Sequence, residues 1–185
     1  MLLTDFHSAF DLETYRFFNR DGGPWLDVLM RLLSTRIFGV AFGLLLCVVL
    51  CVVLRRGARR ALVALGVAIL VSDFAGSHLL RPLFARARPC YALPAGTFRW
   101  LAPAADGPSL PSLHASNTFA LALVVTLARP RLAPLAYAVA VAVSLSRIYV
   151  GVHWPTDVLA GAVWGTLAGA VGWGLSRAMV PDHQS

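Results

Sequence analysis

Three short polar segments, each beside an apolar run, carry the side chains of this sequence that can do chemistry together. They are residues 81–89, 111–114 and 146–157. Their arginines donate hydrogen bonds in a planar fork that matches a tetrahedral oxyanion. Their histidines can attack an electrophile or carry a proton near neutral pH. The combination predicts a site that binds an oxyanion and acts on it.

The charges and the predicted helix ends both favour an anion. Arg81, Arg88 and Arg147 supply permanent positive charges, and Ser112 adds a hydroxyl donor. Ser112 and Pro155 stand where two helices are expected to begin, since Ser is typical of a helix cap and Pro of a first turn. Free N–H groups at the N-termini of both helices would then point at the same place.

A histidine and a carboxylate form the reactive pair of this site. Asp157 follows His153 by four residues, so the two share a face of a helix. A carboxylate bonded to one ring nitrogen leaves the other nitrogen free to attack or carry a proton. His114 is the second histidine that the topology brings to this end. These three residue types also suit a metal ion, but the nearby arginines would repel a cation, so no metal or other cofactor is expected.

The rest of the chain consists of apolar runs that position these segments. Its 185 residues are 58% hydrophobic and 14% charged, with a mean hydropathy of +0.70, whereas soluble domains are about 45–50% apolar and about 25% charged. The composition therefore predicts an all-α integral-membrane bundle with about five spanning helices. The five runs are residues 37–54, 61–80, 115–128, 132–145 and 158–175.

The sequence predicts a single membrane domain over residues 1–185. Residues 37–175 form the bundle, and the outward loops 81–114 and 146–157 carry the site. Residues 1–36 mix aromatic and charged side chains around a Gly-Gly-Pro break, which is typical of two short helices lying in the membrane interface. The alternative is that this segment is soluble and packs on the extramembrane face.

Arginine counts in the short loops predict the orientation. The loop 55–60 holds four arginines, the loop 129–131 holds two, and the tail holds Arg177. A five-span bundle places these segments on one side, which the positive-inside rule makes cytoplasmic. The site then faces the periplasm or the exterior of a bacterial inner membrane. Although the net charge is +7, the arginines are divided among loops, so no nucleic-acid partner is expected.

Taken together, the three segments resemble the signature of the type 2 phosphatidic acid phosphatase superfamily. That signature is a basic residue, six positions and Arg-Pro; then Pro-Ser-Gly-His; then Ser-Arg, five positions, His, three positions and Asp. Every spacing matches, and the resemblance runs over roughly residues 25–175. Arg81 replaces the usual Lys, and Leu113 replaces the Gly. The family commonly has six spans, whereas five runs are found here.

The resemblance implies metal-independent removal of phosphate from a lipid through a phosphohistidine. His153 would be the nucleophile, Asp157 its orienting partner and His114 the general acid. The phosphoryl oxygens would be held by Arg81, Arg88, Ser112, Arg147 and the backbone N–H of Leu113. Undecaprenyl diphosphate and phosphatidylglycerophosphate are the preferred substrates. A lipid phosphotransferase and a non-catalytic lipid-phosphate binder remain alternatives, and the oligomeric state is open.

Several residues beside the motifs receive structural interpretations. Arg86 lies in the first outward loop but fits no motif position, so we expect a headgroup contact or a solvated charge. Asp73 lies within the second span, where we expect a buried partner for an Arg or a Ser. His78 is expected at the interface or behind the site, and Trp154 is expected to wall it.

Overall fold

The structure, a computed structural model, describes residues 3–54 and 57–181. Within these ranges the chain is nearly all helical, and the β pairing there is one isolated bridge between Thr4 and Arg86. This confirms the predicted all-α class. Arg55 and Arg56 of the predicted cytoplasmic loop lie outside the described residues.

The long helices correspond to the five predicted apolar runs. Among the residues that the structure describes, four stretches are long and apolar enough to cross a membrane, and the fifth helix is shorter, at 16 residues. Each predicted run lies within helical structure that begins or ends a few residues outside it. In chain order the helices are α1 (Ala9–Phe18), α2 (Pro24–Leu33), α3 (Arg36–Leu54), α4 (Ala58–Ala75), α5 (Arg81–Phe84), α6 (Pro89–Ala92), α7 (Leu113–Ala128), α8 (Ala133–Tyr149) and α9 (Pro155–Met179).

Helices α7 and α9 pack backbone to backbone at the centre of the bundle. A Cβ added at Gly165 would lie 2.0 Å from the carbonyl oxygen of Ser116, and one added at Gly161 would lie 2.5 Å from that of Ser112. Only glycine allows backbones to approach this closely. The contact brings the starts of the two helices together, and the Ser112 N–H donates to the Asp157 carbonyl at 3.0 Å.

The chain leaves the second span through irregular helix that carries the first motif. A π-helical stretch, Gly76–Leu80, joins α4 to the short helix α5. Such stretches are frequent at functional sites. Ala85 then adopts φ +49°, a left-handed conformation that ends α5. The next residues turn back over the end of the bundle, where Arg86 and Arg88 are buried.

The N-terminal segment forms two helices, as predicted, and they contact the bundle differently. Helix α1 buries Asp11 and Tyr15 against the start of α9, where Tyr15 packs on Trp154. Helix α2 buries no residue, and Trp25 is 87% exposed. An exposed apolar face of this kind suits a membrane interface. The packing of α1 matches the alternative interpretation for that helix, while the interfacial location of the segment stays a prediction.

Candidate active site

The structure brings most of the predicted site residues to one cavity. This cavity, of about 1240 Å³, opens between α3, α4, α7 and α8. Its polar end is lined by Arg81, Arg88, Leu113, His114, Arg147 and His153. Ser112 and Asp157 are fully buried beside these residues. The three sequence segments therefore meet in space at the same end of the bundle.

His153 and Asp157 form the expected pair. The His153 Nδ1 lies 3.3 Å from Asp157 Oδ2, which also accepts a 2.8 Å hydrogen bond from the Trp154 N–H. On the other side of the ring, Arg88 Nη1 donates to His153 Nε2 at 3.0 Å. A guanidinium has no lone pair to offer, so Nε2 must be the unprotonated nitrogen. The ring therefore presents an in-plane lone pair toward a cation.

The surroundings keep this imidazole neutral. Burial, together with the positive charges of Arg88 and Arg147, holds the pKa of His153 well below its usual value of 6.5. A neutral ring at physiological pH is what a nucleophilic histidine requires, because the protonated ring has no free lone pair.

Arg88 is fixed by the loop that crosses over the site. Its guanidinium is buried, and most of its donors are bonded to backbone carbonyl oxygens. Those carbonyls belong to Ala105, Gly107, Pro108 and Val152, at 3.1–3.2 Å. The positive charge beside His153 is thus held in place before any substrate arrives.

The hydrogen-bond donors of Ser112, Arg147 and Arg81 are only partly used within the described part of the chain. Within the described ranges, the Ser112 hydroxyl and the Arg147 Nε are buried without a hydrogen bond. Arg147 Nη1 donates to the Ser34 carbonyl at 2.7 Å and to the Ser34 hydroxyl. Arg81 Nε donates to the Pro111 carbonyl at 3.2 Å. A buried donor without a partner costs about 1–3 kcal/mol, which an oxyanion bound here would offset.

His114 and Leu113 begin α7 at the edge of the cavity. His114 is half-buried, and its ring makes no hydrogen bond to the described residues. Leu113 has helical backbone, so the replacement of the family's Gly creates no strain at a positive φ. A Cβ added at Gly76 would lie 2.6 Å from the Leu113 side chain. Gly76 therefore makes room for the larger residue at position 113.

The prediction for Arg86 was wrong. This side chain is 2% exposed and lies between two carboxylates. Its Nη1 donates to Asp157 Oδ1 at 2.7 Å, and its Nη2 donates to Asp11 Oδ2 at 2.6 Å. Asp11 also accepts from the Thr156 hydroxyl and the Thr156 N–H at 2.7 and 3.0 Å. A loop arginine that looked solvated is instead the centre of a buried ion network.

This network supports the carboxylate that holds His153. One oxygen of Asp157 accepts a hydrogen bond from Arg86. The other contacts His153 and accepts from the Trp154 N–H, so the orientation of the carboxylate is fixed. Although burial opposes it, hydrogen bonding from Thr156 and Arg86 holds the pKa of Asp11 below its usual value. Sequence reasoning missed Asp11 and Ser34, because nothing in their spacing links them to segments 75 or more residues away.

The remaining side chains beside the motifs have ordinary contacts. Asp73 is exposed rather than buried, and it accepts from Asn117 Nδ2 at 3.2 Å instead of from an Arg or a Ser. His78 is exposed, with its ring bonded to the Phe74 carbonyl. Trp154 is fully buried, and its Nε1 donates to the Ala87 carbonyl at 3.0 Å. Trp154 packs behind the histidine pair and is not among the residues that line the cavity.

A bundle of membrane-spanning helices that ends in a histidine–carboxylate pair ringed by arginines defines a class of membrane enzyme that acts on oxyanions. The sequence profile of the PAP2 superfamily matches residues 61–179, well over half of the chain and all of the predicted site. The chain therefore belongs to the PAP2 superfamily. The family resemblance and the predicted enzyme class, an integral-membrane hydrolase of this superfamily, are confirmed.

Relatives and a solved structure resemble the chain along most of its length. The lipid A 4'-phosphatase of Bacteroides thetaiotaomicron is 28% identical over 191 residues, which cover 99% of this chain and 84% of that protein. Escherichia coli YbjG, provisionally named an undecaprenyl-diphosphatase, is 34% identical over 154 residues, 82% of this chain and 72% of that protein. The crystal structure of LpxE from Aquifex aeolicus has a TM-score of 0.69 at 23% identity, covering 90% of this chain and 96% of that one. This last likeness shows the fold.

Proposed function

We propose that the protein hydrolyses the phosphate of a membrane lipid phosphate or diphosphate through a phosphohistidine, without a metal ion. The observation that carries the proposal is the geometry of His153. Its unprotonated Nε2 lies 3.0 Å from Arg88 at the polar end of a cavity large enough for a lipid headgroup. Asp157 holds the opposite nitrogen, so the ring is poised to attack.

In the first step a phosphoryl oxygen of the substrate takes over the hydrogen bond from Arg88 Nη1. The freed His153 Nε2 lone pair attacks phosphorus, and the bond from phosphorus to the leaving oxygen breaks. His114 donates its proton to that oxygen, so the lipid leaves as an alcohol or as a lipid monophosphate. Arg81, Arg88 and Arg147 neutralise the charge on the phosphoryl oxygens. Positioning and charge neutralisation are the main demands of phosphoryl transfer, and fixed arginines meet both.

In the second step water attacks the phosphohistidine. His114, now neutral, takes a proton from the water, the bond from phosphorus to nitrogen breaks, and inorganic phosphate leaves. Asp157 stabilises the charge that the His153 ring carries while it is phosphorylated, in the manner of a carboxylate behind a catalytic histidine. The enzyme then returns to its starting protonation state.

The cavity supports a lipid as the substrate. Beyond the polar end, its walls are apolar side chains of three helices. They include Val40, Leu44, Leu65, Ile69 and Leu121. Undecaprenyl diphosphate and phosphatidylglycerophosphate remain our preferred substrates, and the names of the relatives add lipid A. The arginine-rich loops support an active site that faces the periplasm of a bacterial inner membrane, within one domain over residues 1–185.

The test is phosphate release in detergent with a chelator present, over a panel of lipids. The panel contains polyprenyl diphosphate, phosphatidylglycerophosphate, phosphatidic acid and phosphorylated lipid A. Release that vanadate blocks, together with alkali-stable labelling of wild-type protein but not of His153→Ala, is the expected result. Transfer of label to a second lipid instead of water would identify a phosphotransferase. Binding without turnover of any lipid would identify a non-catalytic binder.

A further inference from the structure

Two arginines outside the family-matched region line the same cavity as His153. Arg31 is in the last turn of α2, and Arg36 begins α3. Both are exposed, and both line the cavity together with Arg81, Arg147 and the catalytic-site histidines. The proposed mechanism uses neither of them. Their position raises the question of what they bind.

The corner that carries them is attached to the phosphate-binding end of the cavity. Ser34 lies between the two arginines and is 5% exposed. Arg147 Nη1 donates to the Ser34 carbonyl at 2.7 Å and also to its hydroxyl. Arg147, which is expected to hold the reacting phosphate, therefore also anchors the turn between α2 and α3. This contact keeps Arg31 and Arg36 beside the site.

These two arginines have no ion-pair partner within the described part of the chain. Neither makes a hydrogen bond there either. Asp27, the carboxylate on which the charge of Arg31 acts, is bonded to Arg99 at 2.6 Å and to Tyr149 at 2.5 Å. Among the described residues that line the cavity, five are arginines and one, Asp73, is a carboxylate. One dianionic phosphate bound by Arg81, Arg88 and Arg147 would not neutralise the positive charges of Arg31 and Arg36.

We propose that Arg31 and Arg36 bind a second phosphate of the same substrate, so that the enzyme prefers lipids carrying two phosphate groups. This inference rests on the proposed function and deepens it. The two arginines share one continuous cavity with the nucleophile, and that cavity is far larger than a single phosphate requires. The second phosphate can be the inner group of a diphosphate or a separate group elsewhere on the headgroup.

The test compares matched pairs of substrates in neutral detergent. Farnesyl diphosphate is compared with farnesyl monophosphate, and phosphatidylglycerophosphate with phosphatidic acid. In wild-type protein the member with two phosphates is expected to have the higher kcat/KM. In the double variant Arg31→Gln/Arg36→Gln that preference should fall about tenfold or more, the effect of losing charge-assisted hydrogen bonds. The pair that loses its preference identifies which kind of second phosphate is bound.

A matched control separates this effect from a general loss of positive charge. Arg16 and Arg20 lie on α1 and just after it, are exposed, and do not line the cavity. The double variant Arg16→Gln/Arg20→Gln should keep the wild-type preference. Arg31→Lys/Arg36→Lys should restore part of it if the Gln variant folds poorly, since the charge is kept and the fork geometry is lost.

The outcomes separate this proposal from the proposed function. If wild-type protein releases phosphate from none of the lipids, the proposed function fails. If it turns them over and the preference is unchanged in Arg31→Gln/Arg36→Gln, only the second phosphate site fails. The second phosphate site also fails if these variants change only the response to added anionic lipid, because the arginines then bind bulk headgroups.

Discussion

The two walls of the site differ in how completely their polar groups are satisfied. On the wall formed by Asp11, Arg86, Asp157 and His153, the ion pairs are buried and every carboxylate oxygen is bonded. We call this wall the support network. On the wall formed by Arg81, Ser112, His114 and Arg147, donors are left without partners in the described part of the chain. We call this the open wall.

The two walls contain groups with different tasks. Some must be oriented before the substrate binds, and others must keep hydrogen-bond donors free for the substrate. Groups that orient a nucleophile act through fixed geometry, so their hydrogen bonds are made within the protein. Groups that stabilise charge in a transition state need donors free to meet that charge. Breaking the support network should therefore lower kcat, whereas changes to the open wall should act on the bound phosphate and leaving group.

The largest effect is expected at the end of the support network. His153→Ala removes the nucleophile and should lower kcat by about 10⁴-fold or more, while the protein stays folded and membrane-inserted. Phosphate release and size-exclusion profile in detergent measure the two properties. His78→Ala is the matched control, because His78 is exposed and does not line the cavity. Full activity in His153→Ala would show that His153 is not the nucleophile and would rule out the proposed mechanism.

His114→Ala tests the open wall and should cost about 10²–10⁴-fold in kcat, the range for loss of a general acid. The loss should be smaller with a substrate whose leaving group needs no proton, such as an aryl phosphate. Alkali-stable labelling of His153 should persist with that substrate. An equal loss on lipid and aryl phosphates would show that His114 does not protonate the leaving group.

Breaking the support network away from the nucleophile should have an intermediate effect. Asp11→Asn removes the charge that pairs with Arg86 at 2.6 Å. We expect kcat to fall about tenfold with KM nearly unchanged, because Arg86 and through it Asp157 lose orientation but the phosphate-binding arginines do not. Steady-state kinetics with one lipid measure both constants. Asp5→Asn, an exposed carboxylate of the same segment, is the control. A rise in KM alone would place Asp11 in substrate binding instead.

The sequence predicts much of the site because its information is local. Asp157 follows His153 by only four residues, and Arg81 and Arg88 share one segment. Each segment borders one end of an apolar run, so five runs are enough to bring them to one surface. The same reasoning predicts the helices, since apolar length is visible in the sequence.

The contacts of Asp11 and Ser34 could not be predicted because their partners lie in distant segments. Asp11 is 75 residues from Arg86, and Ser34 is 113 residues from Arg147. Neither Asp11 nor Ser34 belongs to a motif, and both precede the family-matched residues 61–179. A charge in a loop is usually solvated, and only the tertiary fold shows that Arg86 is enclosed by two carboxylates.

A smaller effect is expected on stability as pH changes. The pKa of His153 is held well below 6.5 in the folded protein, chiefly by burial, and is about 6.5 when unfolded. The unfolded chain therefore binds the proton first, so stability from this group is complete above about pH 6.5 and is lost as pH falls below it. The loss is about 1.4 kcal/mol per pH unit. Between pH 7.5 and 5.5, thermal denaturation in detergent should show a larger fall in Tm for wild-type protein than for His153→Asn. Equal falls would show that the histidine is already protonated in the fold.

The smallest effect is expected from restoring the family's residue on the open wall. Leu113→Gly keeps the backbone N–H and the helical conformation, so kcat should change only a few-fold. The helix should lose less than about 1 kcal/mol of stability, the cost of glycine in a helix interior, because Leu113 is the first residue of α7, and the space beside Gly76 should be left unfilled. Kinetics on the lipid panel and thermal denaturation measure both, with Leu113→Ala as the variant that keeps helix propensity while removing bulk. A large gain in turnover by Leu113→Gly and Leu113→Ala alike would mean that the leucine side chain, rather than the donors around it, limits how the phosphate enters the open wall.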